Sequence, residues 1–295
     1  PFVDVSNRIN HINSMLNRAV PPVGVLPEKI NFPKVETQIM PNGTQLLIHK
    51  SGSEDVCRID LLFNAGSRYQ NNCLEARAAV ELMPEGAGHF TSSEISEHFD
   101  YLGSFLDFTC TSDFARLTVH TLRKHLANTL EMLELVVKQP TYPPDEQLTW
   151  SQNGKQALIV SLERPSILAQ RSLLQALYSK MHPYGKLASP EDFDMLNCSG
   201  IADFHTNRYG AIGATLLLTG NVEEKEAKLV EKFFGLTPWG IDKANVQSYP
   251  QPNEAKATNL FIGKPNALQS AICIGRKLFQ RNHPDYPAMA ILCTL

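Results

Sequence analysis

The sequence predicts an α+β fold, in which runs of strands and runs of helices follow one another along the chain. Three observations predict it. Two short apolar segments flank Asn42-Gly43, a dipeptide that tolerates the positive φ angles of a tight hairpin. Helical periodicity begins only after a third strand-like segment, and two further strands then precede an amphipathic helix. The strand, loop and helix order of residues 56–83 recurs after residue 256, which indicates an internal duplication.

The predicted strands are short apolar segments that end at turn residues. The first two form a hairpin about Asn42-Gly43, and the third ends at Asn64. A later pair precedes an amphipathic helix, a single buried strand follows the long helices, and two more strands lie near the C-terminus. The eight segments are residues 35–40, 44–49, 56–63, 105–110, 114–122, 214–219, 257–262 and 270–275.

The predicted helices are bounded by caps, glycines and prolines. Pro84 ends the first helix, while Ser92 or Ser93 caps the second and Gly103 stops it. A long helix follows Pro143, Pro144 and Asp145, and Pro165 separates it from the next. The seven segments are residues 74–83, 92–102, 126–137, 146–163, 166–181, 222–234 and 285–295.

The prolines and the polar stretches divide the chain into four parts. Residues 1–33 contain Pro21, Pro22, Pro27 and Pro33, which favour an extended N-terminal arm. Residues 34–243 form a first complete domain, and the polar, proline-containing residues 244–255 form a linker. Residues 256–295 are then the beginning of a second, homologous domain. The last apolar stretch has no capping residue, so we expect this second domain to be incomplete here.

The composition excludes several classes of protein. Of 295 residues, 43% are hydrophobic and 19% charged, which is enough apolar material for a sizeable core. The net charge of −3 leaves no excess of cations for phosphates, so nucleic acid is not an expected partner. No apolar run is long enough to span a membrane. These observations leave the location open; they favour the cytoplasm, with a periplasmic or organellar location as the alternative if a signal segment has been removed. The six cysteines are widely spaced and are predicted to be free thiols.

Several motifs occur in an order that resembles the pitrilysin, insulinase and mitochondrial processing peptidase family. They are residues 64–68 (NAGSR), 102–109 (LGSFLDFT), 139–143 (QPTYP), 182–185 (HPYG), 204–209 (FHTNRY) and 219–222 (TGNV). The resemblance implies two homologous domains, each a mostly antiparallel sheet covered by helices. It also implies that the chain is one half of a metallopeptidase clamshell.

The resemblance further implies where zinc ligands would lie. Active members of the family carry H-x-x-E-H on the helix after the first Gly-Ser-Arg segment, with two zinc-binding imidazoles and a general base. The matching residues here are 78–82, in which Ala78 and Leu82 replace the two imidazoles and only Glu81 remains. The third ligand is a Glu on the long helix, and Ala157 or Leu158 stands at its position. We therefore expect no catalytic residues and no metal in this chain, with zinc only in a partner subunit.

A displaced metal site is the alternative for catalysis. Glu94 and His98 are one helical turn apart, and His89 lies shortly before them, which imitates an inverted zinc motif. Such a pair is more common on a solvated helix face. Glu81, without a metal to activate water, is interpreted as a carboxylate at the rim of an apolar helix, paired with a cation or facing a solvent-filled chamber.

Peptide binding does not depend on the lost ligands. In the resembling family, an edge strand of the first domain pairs with the substrate main chain, and its match is Phe105, Leu106, Asp107, Phe108 and Thr109. Asp107 replaces the usual Asn, which exchanges an amide donor for an acceptor. The other interpretation is an ordinary edge strand without a ligand.

Three functions are therefore carried forward. The first is a non-catalytic peptidase-like subunit that binds unfolded peptides and completes the chamber of a zinc-bearing homologous subunit. The second is a zinc metallopeptidase that acts through His89, Glu94 and His98. The third is a scaffold or peptide-binding protein without a peptidase partner, as a monomer or through self-association. The family's substrate-gripping Arg and Tyr pair would lie beyond Leu295.

Overall fold

A computed structural model describes residues 33–241 and 259–294 of the chain. The chain divides into two units, residues 1–34 and residues 35–295. Almost all of the first unit, which includes the predicted N-terminal arm, lies outside the described residues, as does the predicted linker at residues 244–255. The division into a first domain at residues 34–243 and a second one from residue 256 stays a prediction.

The second unit contains a six-stranded, mostly antiparallel sheet. The chain order is β1 (Glu36–Ile39), β2 (Gln45–Lys50), β3 (Val56–Phe63), β6 (Phe105–Cys110), β7 (Ala115–Leu122) and β8 (Thr215–Gly220), with a two-stranded ribbon of β4 (Gly86–Ala87) and β5 (Phe90–Thr91) apart from it. The spatial order is β1-β2-β8-β3-β7-β6. Only β2 and β8 run parallel, so this pair requires the long connection through the helices between them.

Nine α-helices accompany the sheet in the described residues. They are α1 (Glu75–Glu81), α2 (Ser92–Tyr101), α3 (Leu126–Lys138), α4 (Pro144–Leu162), α5 (Pro165–Tyr178), α6 (Pro190–Met195), α7 (Cys198–Arg208), α8 (Glu224–Phe234) and α9 (Tyr286–Leu292). None of them is both long and apolar enough to cross a membrane. The mixture of helices with a mostly antiparallel sheet confirms the predicted α+β class.

The two faces of the sheet have different compositions because successive side chains of a strand point to opposite sides. One face carries residues such as Ile59, Leu117 and Leu216, which are fully buried together with apolar residues of α1, α3, α7 and α8. The other face carries polar residues, among them Arg58 and Asp60. We call this second side the polar face of the sheet.

Several helix boundaries depend on caps that the sequence contains. The N-cap of α2 is Thr91 rather than Ser92 or Ser93, because Glu94 is three residues after Thr91 and closes a capping box with it. The helix ends at Tyr101, and Gly103, which follows the C-cap residue Leu102, has a φ of 61°. Helix α6, which the periodicity does not reveal, begins at a similar box between Ser189 and Asp192.

Two predicted strands near the C-terminus are wrong for the described residues. Residues 259–262 and 270–275 have no strand structure, because neither edge of the six-stranded sheet pairs with them. Several of them line instead a groove of about 530 Å³ that α5 also lines, among them Leu260 and Ile272. The helix predicted after them is present as α9. The internal duplication therefore stays a prediction.

Candidate functional site

The two expected imidazole positions lie in helix α1 and directly after it, and the residues at both are part of the core. The Ala78 side chain is completely buried, and Leu82, which follows the helix, is 1% exposed. The hydroxyl of Tyr142 donates a hydrogen bond to the Ala79 carbonyl oxygen over 3.0 Å, which holds the helix against the loop before α4. Methyl and isobutyl groups offer no lone pair to a metal, so the residues at these positions do not fit zinc.

Glu81 lies at the rim of this apolar helix and is paired. Arg77 Nε donates to one carboxylate oxygen of Glu81 over 2.8 Å. The indole Nε1 of Trp150, on α4, donates to the other oxygen over 2.8 Å. The Arg77 guanidinium carbon also lies 5.6 Å from the centre of the Trp150 ring. Because both oxygens accept a hydrogen bond from a neighbouring side chain, Glu81 is not an unpaired general base.

The position of the third ligand lies two helical turns after Trp150 on α4. Ala157 is exposed, whereas Leu158 is partly buried and packs against the core. Neither side chain can coordinate a cation. Over residues 33–241 and 259–294, no group of three or more His, Cys, Asp and Glu side chains is placed to hold a metal ion.

The residues of the alternative metal site are not brought together. Glu94 accepts hydrogen bonds from the backbone N–H and the hydroxyl of Thr91, so its carboxylate serves as a helix cap. His98 Nε2 lies 3.3 Å from the Asn128 carbonyl oxygen, and the His89 ring packs on Phe90 with 4.1 Å between the ring centres. The hypothesis of a displaced zinc site at His89, Glu94 and His98 has no support from this arrangement.

The NAGSR motif holds the turn between β6 and β7. Ser67 and Arg68 donate backbone hydrogen bonds to the carbonyl oxygens of Thr111 and Ser112, over 3.0 and 2.9 Å. Gly66 approaches the same turn so closely that a Cβ atom on it would lie 2.4 Å from the Asp113 carbonyl carbon. Only glycine allows the two backbone segments to meet at this distance.

The HPYG motif meets the same turn from the other side. Arg68 Nη1 donates to Asp113 Oδ1 over 2.9 Å, and the Tyr184 hydroxyl donates to the same oxygen over 2.6 Å. Burial first, and then the hydrogen bond to Asp113, raise the pKa of Tyr184 to about 12. Two motifs that are more than a hundred residues apart in the sequence thus meet at Asp113. Sequence reasoning identified both motifs but missed Asp113, which no pattern distinguishes.

Strand β6 forms one edge of the sheet, as the described strands are arranged. Its end lies close to the rim of α1, where burial first and then the Glu81 carboxylate raise the pKa of the Cys110 thiol to about 11. Phe105, Asp107 and Thr109 lie on the polar face, while Leu106 and Phe108 pack against the core. The structure therefore places the five predicted peptide-binding residues on an edge strand next to Glu81.

The backbone of β6 has one side without a strand partner. Thr111 donates its N–H to the Phe114 carbonyl oxygen over 2.8 Å, which makes this a hydrogen-bonded pair at the end of the hairpin. Such pairs alternate along an antiparallel ladder, so Thr109, Asp107 and Phe105 direct their backbone groups toward β7. Leu106 and Phe108 direct theirs outward, where none of the described strands pairs with them.

Comparisons with known proteins agree with this architecture. The family model described as "Peptidase M16 inactive domain" matches residues 200–295. Mitochondrial-processing peptidase subunit alpha-1 of Dictyostelium discoideum is 22% identical over 222 residues, which cover 70% of this chain and 32% of that protein. The chain thus spans about a third of the length of this relative.

Solved structures share the fold. The peptidase M16 inactive domain from Pseudomonas fluorescens superposes with a TM-score of 0.69 at 22% identity, over 76% of this chain and 55% of that chain. A protease from Helicobacter pylori superposes with a TM-score of 0.64 at 21% identity, over 75% and 54% of the two chains. The sequence match, the family model and the fold agree with the resemblance of the motifs. The chain is thus similar to M16 peptidases in sequence over residues 200–295 and in fold.

Proposed function

We propose that this chain is a non-catalytic, peptidase-like subunit that binds extended peptides along β6 and completes the peptide chamber of a zinc-bearing homologous subunit. The observation that carries the proposal is that the expected zinc-ligand positions cannot bind a metal, while the strand beside them can still bind a peptide backbone. The expected zinc-ligand positions hold Ala78 and Leu82 within the core, whereas the adjacent strand β6 has an edge with which none of the described strands pairs. Strand addition needs this backbone edge and no metal.

The surroundings of Glu81 support a role without catalysis. Arg77 brings a positive charge to the carboxylate, and Trp150 satisfies its second oxygen. A general base must be within reach of the proton it removes and must have a reaction to assist. With no residues that fit a zinc ion beside it, Glu81 stabilises the contact between α1 and α4 instead.

The first test concerns the edge of β6. A peptide added there exchanges hydrogen bonds with Leu106 and Phe108, so only alternate peptide N–H groups face β6. N-methylation of those amides removes the donors and introduces a steric clash. We expect binding, measured by fluorescence anisotropy of a labelled peptide, to weaken at least tenfold, since each lost hydrogen bond contributes about 1 kcal/mol.

The matched control is the same peptide N-methylated one residue further along, where the N–H groups point away from β6. We expect its affinity to remain within about twofold of the unmodified peptide. Equal losses in the two peptide series would show that the peptide binds somewhere other than a strand edge. If no extended peptide binds at all, the proposed function is wrong.

The second test concerns the partner. The chain is mixed with an H-x-x-E-H homologue from the same source, and cleavage of an unstructured peptide is followed with time. We expect the mixture to cleave faster than the zinc-bearing subunit alone, because a closed chamber holds the peptide beside the metal. The control is the same mixture without zinc. An unchanged rate, with no complex on size-exclusion chromatography, contradicts the pairing.

A further inference from the structure

Three side chains of β6 stand on the polar face, directly beside the place where an added strand would lie. They are Phe105, Asp107 and Thr109, which occupy alternate positions of the strand. Because their backbone groups face β7, they are in non-hydrogen-bonded positions relative to an added strand, where opposite side chains come closest. The side chains of a bound peptide would therefore contact them one by one.

The end of β6 near Thr109 carries a positive charge. Arg116 lies opposite Thr109 on β7, and its Nη2 donates to the Thr109 hydroxyl over 3.5 Å, so the guanidinium reaches across β6 toward the outer edge. Its Nε is buried and has no hydrogen-bond partner among the residues that the structure describes. None of the ion pairs among residues 33–241 and 259–294 includes Arg116. A carboxylate from outside would give this cation its counter-charge.

The middle of the strand carries a negative charge. Asp107 is exposed and lies opposite Thr118. The nearby cation Arg58 makes two hydrogen bonds with Asp60, over 2.9 and 2.8 Å, and Thr118 donates to the same Asp60 carboxylate. Asp107 has no ion pair of its own within the described part of the chain. Its carboxylate is thus available to a basic side chain.

The beginning of the strand is aromatic. Phe105 is 61% exposed, and its ring stacks on His120 of β7 with 5.0 Å between the ring centres and an interplanar angle of 16°. The imidazole supports one side of the phenyl ring and leaves the outward side open. An apolar side chain placed opposite Phe105 would bury this surface.

We infer that β6 selects extended peptides with an acidic, a basic and an apolar residue at alternate positions, in that order from the N-terminus. The inference rests on the proposed strand addition and adds its specificity. The acidic residue pairs with Arg116, the basic residue with Asp107 and the apolar residue with Phe105. The order follows from an antiparallel addition, which is the more stable pairing.

Two labelled peptides of identical composition test the inference, Thr-Glu-Thr-Lys-Thr-Phe-Thr and its charge-exchanged form Thr-Lys-Thr-Glu-Thr-Phe-Thr. We expect the first to bind about tenfold more tightly at low ionic strength, because two attractive cross-strand pairs replace two repulsive ones. The preference should shrink in high salt. Thr-Phe-Thr-Lys-Thr-Glu-Thr is the control for strand direction, and tighter binding of this reversed peptide would overturn the antiparallel order.

Exchanging the two charges of the protein gives a variant that is matched to the charge-exchanged peptide. In Arg116→Glu combined with Asp107→Lys, the preference should reverse and favour the second peptide. Asp107→Asn, a surface change of similar size, should lower the preference for the first peptide by about threefold while the fold remains intact. If both peptides bind equally and the alternating effect of N-methylation persists, strand addition holds and the inferred specificity is wrong. If neither peptide binds, the proposed function fails and the specificity fails with it.

Discussion

Gly66→Ala is expected to destabilise the protein by about 3 kcal/mol, although it adds only one methyl group. The new Cβ atom would lie 2.4 to 2.5 Å from backbone atoms of Ser112 and Asp113, where no flexible side chain can move aside. The turn between β6 and β7 must therefore shift away from residues 66–68. Chemical denaturation measures the loss as a lower midpoint at an unchanged slope.

The matched control is Gly263→Ala. The nearest atom to a Cβ at this position is 4.0 Å away, on the ring of Phe261, and the position has no positive φ. We expect a change within about 0.5 kcal/mol. A Gly66→Ala variant as stable as the control would show that the NAGSR loop and the hairpin do not pack as closely as described.

Tyr142→Ala is expected to cost about 4 kcal/mol, because a large, almost completely buried ring is removed from the contact with α1. Burial also raises the pKa of the Tyr142 hydroxyl well above its usual value, so this group stays protonated and donates to the Ala79 carbonyl oxygen. Thermal or urea unfolding of the variant measures the loss.

Tyr142→Phe separates the ring from the hydroxyl. It keeps the packing and removes only the hydrogen bond to the Ala79 oxygen, so we expect a loss of about 1 kcal/mol. Equal losses in the two variants would mean that the hydrogen bond dominates the contact. A loss below about 1 kcal/mol in Tyr142→Ala would contradict the packing between the QPTYP loop and α1.

These two predictions concern contacts made by the motifs that resemble those of the M16 peptidases. NAGSR and HPYG meet at the β6–β7 turn through Arg68, Asp113 and Tyr184. The QPTYP loop anchors α1 through Tyr142. Each contact touches β6 or the helix beside it. The motifs thus hold the strand that we propose to bind peptides, and none of these contacts requires a metal ion.

The sequence by itself determined the α+β class, the resemblance to the M16 peptidases and most of the elements. Apolar periodicity and caps are local properties, so the strands β1, β2, β3, β6, β7 and β8 and the helices α1 to α5 were predictable within a few residues. The resemblance also placed Ala78 and Leu82, whose side chains cannot bind a metal, at the two expected imidazole positions. Whether a side chain can bind a metal follows from its residue type, so it can be inferred before the fold is known.

The tertiary structure decided the rest, because the decisive contacts join distant parts of the chain. Residues 259–262 and 270–275 have strand-like composition, but a strand needs a neighbour, and no edge of the sheet supplies one here. The partners of Glu81, at positions 77 and 150, became known only from the packing of α1 on α4. Likewise, only the strand register shows that the charged residues near β6 lie along one edge. It places Arg116 next to Thr109 and Asp107 on the edge strand.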